Sequence, residues 1–146
     1  MNNVYRPEIR LAIVDTLKGK TNVGDNVIPN RVRPIQRHDF PAILVYFKEE
    51  SAQWDKDLPF ERIGVVYCEI LAIESSDLDD ELDAIALQVE EALGKDYTLG
   101  DKVNEMRYAG MPTYDKDTTG GIEIGSMVLQ YDVQYMTRTP SGFIIT

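Results

Sequence analysis

The stretch that most resembles a metal-binding loop is Asp115-x-Asp117-x-Thr119-Gly120, with Glu123 beyond it. Alternating carboxylates before a glycine turn are how a calcium loop begins, since a hard cation gathers roughly six to eight oxygen ligands. The pattern departs from that loop at its twelfth position, which is Ser126 and not a bidentate glutamate, and strand-like segments flank it. A long hairpin loop turned by Gly120, Gly121 and Gly125 accounts for the same residues. Asp115, Asp117 and Glu123 are therefore weak metal candidates, and no metal or other cofactor is expected.

Other reactive residues stand in similarly ordinary settings. His38 is the only histidine, so no site of several imidazoles can form within one chain. Beside Asp39 it has a partner for proton transfer, but no Ser or Cys nucleophile stands in a recognisable elbow. Cys68 lies between Tyr67 and Glu69 in an apolar run, the setting of a small buried hydrophobe. A reactive thiolate wants an electropositive, accessible place instead. Arg31, Arg33, Arg37 and His38 surround Pro34 and form the best basic cluster. It reads as a solvated loop with scattered charge, or else as a phosphate patch. The phosphate-loop, dinucleotide and zinc-protease patterns are all absent from the sequence. No enzyme is predicted.

Trp54 and Phe60 are different, because they are large aromatics in the polar, irregular stretch Lys48–Arg62. They read as a folded-over hydrophobic cap or as anchors for another chain, where Trp is enriched.

Composition narrows the classes. At 146 residues and 43% hydrophobic content, the chain is long enough for one core and is expected to be a single domain. No apolar run reaches membrane-spanning length, and MNNVYRPEIR lacks a signal-peptide core, so the chain is expected to remain in the cytosol. One cysteine excludes an internal disulfide. A net charge of −10 argues against direct nucleic-acid binding, which relies on Lys and Arg displacing counterions.

The elements that must position these residues follow from periodicity. Pro7 and the spacing of Ile9, Ala12, Ile13 and Leu17 predict a helix over Pro7–Lys18, with Gly19 as its cap. Ala42–Phe47 and Ile63–Ile73 are continuous apolar runs that predict buried strands, the second broken only by Glu69. Apolarity on both faces requires cover on both: helices on one, something else on the other. Ser75, Ser76 and Asp77 offer N-cap chemistry to a helix stepping through Leu78, Leu82, Ile85, Val89 and Leu93 before Gly94. The run Asn104–Met111 then leads through a polar, Gly-rich loop into Met127–Met136, which alternates with a period of two. The expected architecture is α+β, a mostly antiparallel mixed sheet with helices on one face. Lys48–Arg62 and Thr113–Gly125 are expected to be mobile contact loops.

Four features in fixed order give a resemblance: the N-terminal helix, DFPAILVY at Asp39–Tyr46, the helix opening ELDA at Glu81–Ala84, and the end that runs from MRYAG at Met106 to Met136. Together they resemble the phage minor tail protein U family, the tail terminators of lambda-type long-tailed bacteriophages. The resemblance covers roughly Pro7–Met136 and departs in the longer Lys48–Arg62 stretch and in the tail Thr137–Thr146. It implies an α/β fold and a homo-hexameric ring on the end of the tail tube. Such a ring stops tube polymerisation and offers the surface that the head-completion protein joins. It also implies assembly in the bacterial host cytoplasm and a place in the virion tail, with Trp54, Phe60, Asp115, Lys116 and Asp117 as candidate assembly contacts. The rival reading is a small cytosolic enzyme or ligand-binding domain with a site near Asp115–Glu123.

Overall fold

Residues with a spacing of three and four form two helices, and residues that alternate form the sheet on which both pack. The computed structural model describes residues 5–34, 36–53, 60–73, 75–119 and 121–137. In chain order the elements are α1 (Tyr5–Leu17), β1 (Val27–Ile28), a short 3-10 turn at Arg37–Asp39, β2 (Ala42–Gln53), β3 (Phe60–Ile73), α2 (Leu78–Lys95), β4 (Glu105–Thr119) and β5 (Ile122–Thr137). The five strands lie in one sheet in the order β1-β2-β3-β5-β4. Among the described residues only the β1–β2 pairing is parallel. This is the expected α+β architecture, with a mixed, mostly antiparallel sheet.

The register shows which side chains share a face. Val45 stands opposite Cys68, and Cys68 opposite Leu129. With Ile43, Ile70, Met127, Tyr131 and Val133, these residues face the helices and pack on Ile9, Ile13 and Leu17 of α1 and on Leu82, Ile85, Val89 and Leu93 of α2. Burying such side chains stabilises by about 1.5–3 kcal/mol each. The alternate residues Leu44, Leu71 and Ile124 form a smaller cluster on the opposite face, joined by Ile28, Phe40 and Ile122. The cover required there comes from the described residues of the strap connecting β1 to β2, 29–34 and 36–41. Asn26 Nδ2 donates to the carbonyls of Asp39 and Pro41 at 2.6 and 2.8 Å and staples this strap at its return.

Three expectations are corrected. Lys48–Arg62 is not irregular at its two ends, because β2 runs to Gln53 and β3 starts at Phe60; residues 54–59 lie outside the described residues. Thr113–Gly125 is not a loop either; Thr113–Thr119 pairs with Ile122–Val128, with Asp115 opposite Ser126 and Asp117 opposite Ile124. Ser51–Gln53 and Thr113–Thr118 are largely polar because they are solvent-exposed, and backbone pairing needs no apolar side chains. Finally, Asp77 occupies the N-cap position of α2 but makes no capping side-chain hydrogen bond. Charge near the helix start, from Asp79, Asp80 and Glu81, is present without that cap.

A bulge at Lys48 shifts the alternation of β2. Beyond it Glu50 pairs with Gly64 on the helix-facing side, so a carboxylate enters the face where the earlier pattern placed apolar residues. Gly64 makes room there: a Cβ at this position would stand 2.5 Å from Phe47 Cε2.

Candidate functional site

The most concentrated chemistry in the molecule surrounds Glu69, the one polar break in the β3 run. Its carboxylate is buried. Oε2 accepts hydrogen bonds from Arg33 Nε at 3.1 Å, Arg33 Nη2 at 2.5 Å and Ser126 Oγ at 3.0 Å. Oε1 accepts one from Tyr46 Oη at 2.9 Å. Sheet pairing creates this cradle, since Glu69 stands beside Leu44 on β2 and Val128 on β5. Arg33 descends from the strap and also reaches Asp117 Oδ2 at 3.5 Å. Burial first, and then the neighbouring Glu69 charge, push the Tyr46 hydroxyl well above the usual tyrosine range. Four hydrogen bonds, three on Oε2 and one on Oε1, make this carboxylate the tie between the strap and the sheet.

A second ionic knot lies on the helix-facing side. Arg62 Nη1 contacts Glu50 Oε2 at 2.9 Å, and Arg62 Nε donates to Thr137 Oγ1 at 3.0 Å. Tyr135 also donates its hydroxyl to Glu50. Arg6, at the start of α1, reaches the same carboxylate at 3.0 Å. This knot fastens α1 to the β2–β3 hairpin.

The sequence-predicted residues do not converge on an active site. His38 Nε2 lies 3.4 Å from Asp39 Oδ1, with its side chain 77% exposed and no nucleophile placed against it. Cys68 is fully buried, and burial pushes its thiol up to about 12. Arg31, Arg33 and Arg37 are separated by what they bind: Arg31 donates to the Phe47 carbonyl, Arg33 to Glu69, and Arg37 lines a shallow cleft. Asp115 and Asp117 bind the backbone amides of Lys116 and Thr118 at 2.7 and 2.8 Å. No group of three or more metal-ligating side chains occurs among the described residues. The cleft beside Thr118 and Glu123 has a volume of about 260 Å³, below the ~300–1,000 Å³ of small-molecule sites. Trp54 lies outside the described residues, as does the Phe60 side chain. Of the candidate contacts, Asp115, Lys116 and Asp117 stand exposed on β4.

Sequence reasoning missed both ionic knots. Their partners are 36 and 12 positions apart in sequence, and no local period joins them. The one signal was Glu69 itself, since a charge in a strand apolar on both faces demands a buried partner.

These features define a class: an α+β sheet protein in which Glu69 and Glu50 are each held by several donors from neighbouring elements. The chain belongs to the phage minor tail protein U family, whose sequence model matches residues 4–135 and so covers most of its length. No curated relative matches the chain. The protein is thus a structural component of a phage tail and of the virion, and such membership points away from an enzyme. No helix among the described residues is long and apolar enough to cross a membrane.

Proposed function

We propose that this protein, acting as one domain, is a tail terminator: six copies close into a ring on the end of the tail tube and stop its growth. The ring then offers the surface that the head-completion protein joins. The observation that carries this reading is the family match over residues 4–135. The sheet supports it. The β4 strand borders the sheet for fifteen residues, about 50 Å at ~3.4 Å per residue, while β1 covers only two residues of β2 at the opposite border. Unpaired strand edges invite pairing with another chain, and a head-to-tail contact that closes satisfies both edges in every copy. Asp115, Lys116 and Asp117 on β4, with Trp54 and Phe60 from the sequence stretch Lys48–Arg62, are the proposed contact residues.

Charge would set the conditions of assembly. Six copies at −10 carry about −60, so like charge opposes ring closure in solution. A ring that closes readily only on its template tube suits a terminator, which must not polymerise by itself. The reading places assembly in the host cytoplasm and requires no nucleic-acid contact, metal or cofactor.

Co-sedimentation with purified tail tubes tests it. The protein should pellet with tubes at a ratio that saturates at about six copies per terminated end. Saturation in proportion to total tube length would mean lateral coating and would refute terminal capping. Trp54→Ala should weaken tube binding while leaving the subunit folded.

A further inference from the structure

The helix layer is narrower than the sheet. A helix about 10 Å across covers about two strands spaced ~4.8 Å apart. With α1 packed on β2 and β1, and α2 on β3 and β5, the β4 strand projects beyond them. Its helix-facing side carries two tyrosines: Tyr108, opposite Tyr131, and Tyr114, opposite Met127. They are 45% and 42% exposed, although both partners are buried in the core. The open flank of α2 walls this shelf and is acidic. Glu90 lies within electrostatic reach of the Tyr108 hydroxyl, and Asp79, Asp80 and Asp83 of the Tyr114 hydroxyl. Lys116 lines a cleft with Asp79 and Asp80 and offsets the charge at that end. Asp83 and Glu90 take part in no ion pair among the described residues.

The opposite border of the molecule carries an unspent cation. Arg6 of α1 reaches Glu50 on β2. Arg10, one turn further along the same stripe, stands over β2 where β1 no longer borders it, since β1 pairs only with Ile43 and Leu44. Asp15 and Thr16 take the other flank of the helix, toward α2. Arg10 is partly exposed, its Nε makes no hydrogen bond, and no carboxylate pairs with it among the described residues.

The two borders also match in level. The row of the sheet that holds Glu50 runs through Gly64 and Val133 to Met106. Two residues on along β3, the row of Phe47 runs through Val66 and Tyr131 to Tyr108. The α1 helix starts over Glu50, and the chain returns through β1 opposite Ile43, so the helix runs toward the Phe47 row. One turn of about 6 Å matches two strand residues at ~3.4 Å each. Arg10 and Tyr108 therefore stand at one level on opposite borders.

We propose that Arg10 of each copy seats on the shelf of the next, its guanidinium over Tyr108 and against the carboxylates of Glu90 and Asp83. A guanidinium in that place is attracted by the ring face and by both acids. The contact is head to tail, so it can close a ring. It rests on the terminator reading and deepens it by naming side chains that join neighbouring copies.

Sedimentation of full-length chains at rising concentration tests the contact without tubes. Arg10→Glu sets acid against acid at every junction, and Glu90→Arg sets base against base, so each variant alone should stay monomeric. Mixed in equal amounts, the two present acid to base at every junction, and they alternate around an even-numbered ring without remainder. The mixture should associate at a concentration at least about tenfold lower than either variant alone. Circular dichroism checks each fold, and where Glu90→Arg does not fold, the exposed Asp83→Arg takes its place. A mixture of folded variants that associates no more readily than its components overturns the proposal. On tail tubes, the mixture should pellet where neither variant alone does. A mixture that associates in solution, while neither it nor the unaltered chain binds tube ends, upholds the contact and refutes the terminator reading.

Discussion

Arg33 Nη2 stands 2.5 Å from Glu69 Oε2, joining the strap to the middle of the sheet across 36 positions of sequence. The glutamate is almost wholly buried, with 6% of its side chain exposed, whereas the arginine keeps 35%. Removing one partner of such a pair strands a buried charge, which costs about 3–5 kcal/mol in buried cases. The half-open arginine places the cost near the lower end. Arg33→Met should destabilise by about 3 kcal/mol in urea unfolding, and markedly less in a Glu69→Gln background. A loss within about 0.5 kcal/mol, the range of a neutral surface change, would show that the strap is held by other contacts.

The tyrosines predict a weakness at high pH. Burial, followed by the Glu69 charge and hydrogen bond, holds the Tyr46 proton above the usual range. Burial does the same for Tyr131. A raised pKa means that the folded state keeps protons which the unfolded chain releases near pH ~10. Their contribution is therefore complete below that value and is lost as the pH rises further. The urea midpoint should be flat from about pH 7 to 8, should begin to decline as the unfolded chain's Cys68 thiol ionises at ~8.5, and should fall more steeply above ~10. Tyr46→Phe should flatten the fall. An unchanged slope in that variant would remove Tyr46 from the account.

Cys68, with its thiol at about 12 and no exposed surface, should be inert in the native state. A neutral-pH aromatic disulfide reagent should label it only as fast as the chain opens, and at once in strong denaturant. Labelling of the native protein at the rate of a free thiol would contradict the packing of β3 against the helices.

Gly64 has no room for a methyl group. Its Cβ would lie 2.5 Å from Phe47 Cε2 and 3.4 Å from Tyr135 Cε1. Gly64→Ala should cost about 1–3 kcal/mol through overpacking, and it should disturb the nearby Glu50–Arg62 knot. A neutral Gly64→Ala in thermal unfolding would mean that Phe47 turns aside freely.

The parts of the fold that were legible in sequence are those buried on one side or both. The four-and-three steps from Leu78 to Leu93 predicted α2, which extends two residues further, to Lys95. The alternation over Met127–Met136 predicted the core of β5, and the run Ile63–Ile73 most of β3. What escaped was strand that buries little. Ser51–Gln53 and Thr113–Thr118 are exposed, so no hydrophobic period marks them, and only the partner strand shows that they are extended. The basic cluster escaped for a related reason. Arg33 looks like scattered loop charge until pairing brings Glu69 and Ser126 beneath it.

The central claim is that this protein ends tail tubes, and tube length measures it most directly. Tail-tube subunits are set to polymerise with and without the protein, and tube lengths and ends are imaged by electron microscopy. With the protein, the account predicts arrested tubes of bounded length, with six-fold density at one end. Tubes that overgrow as they do alone, with bare ends, would contradict it.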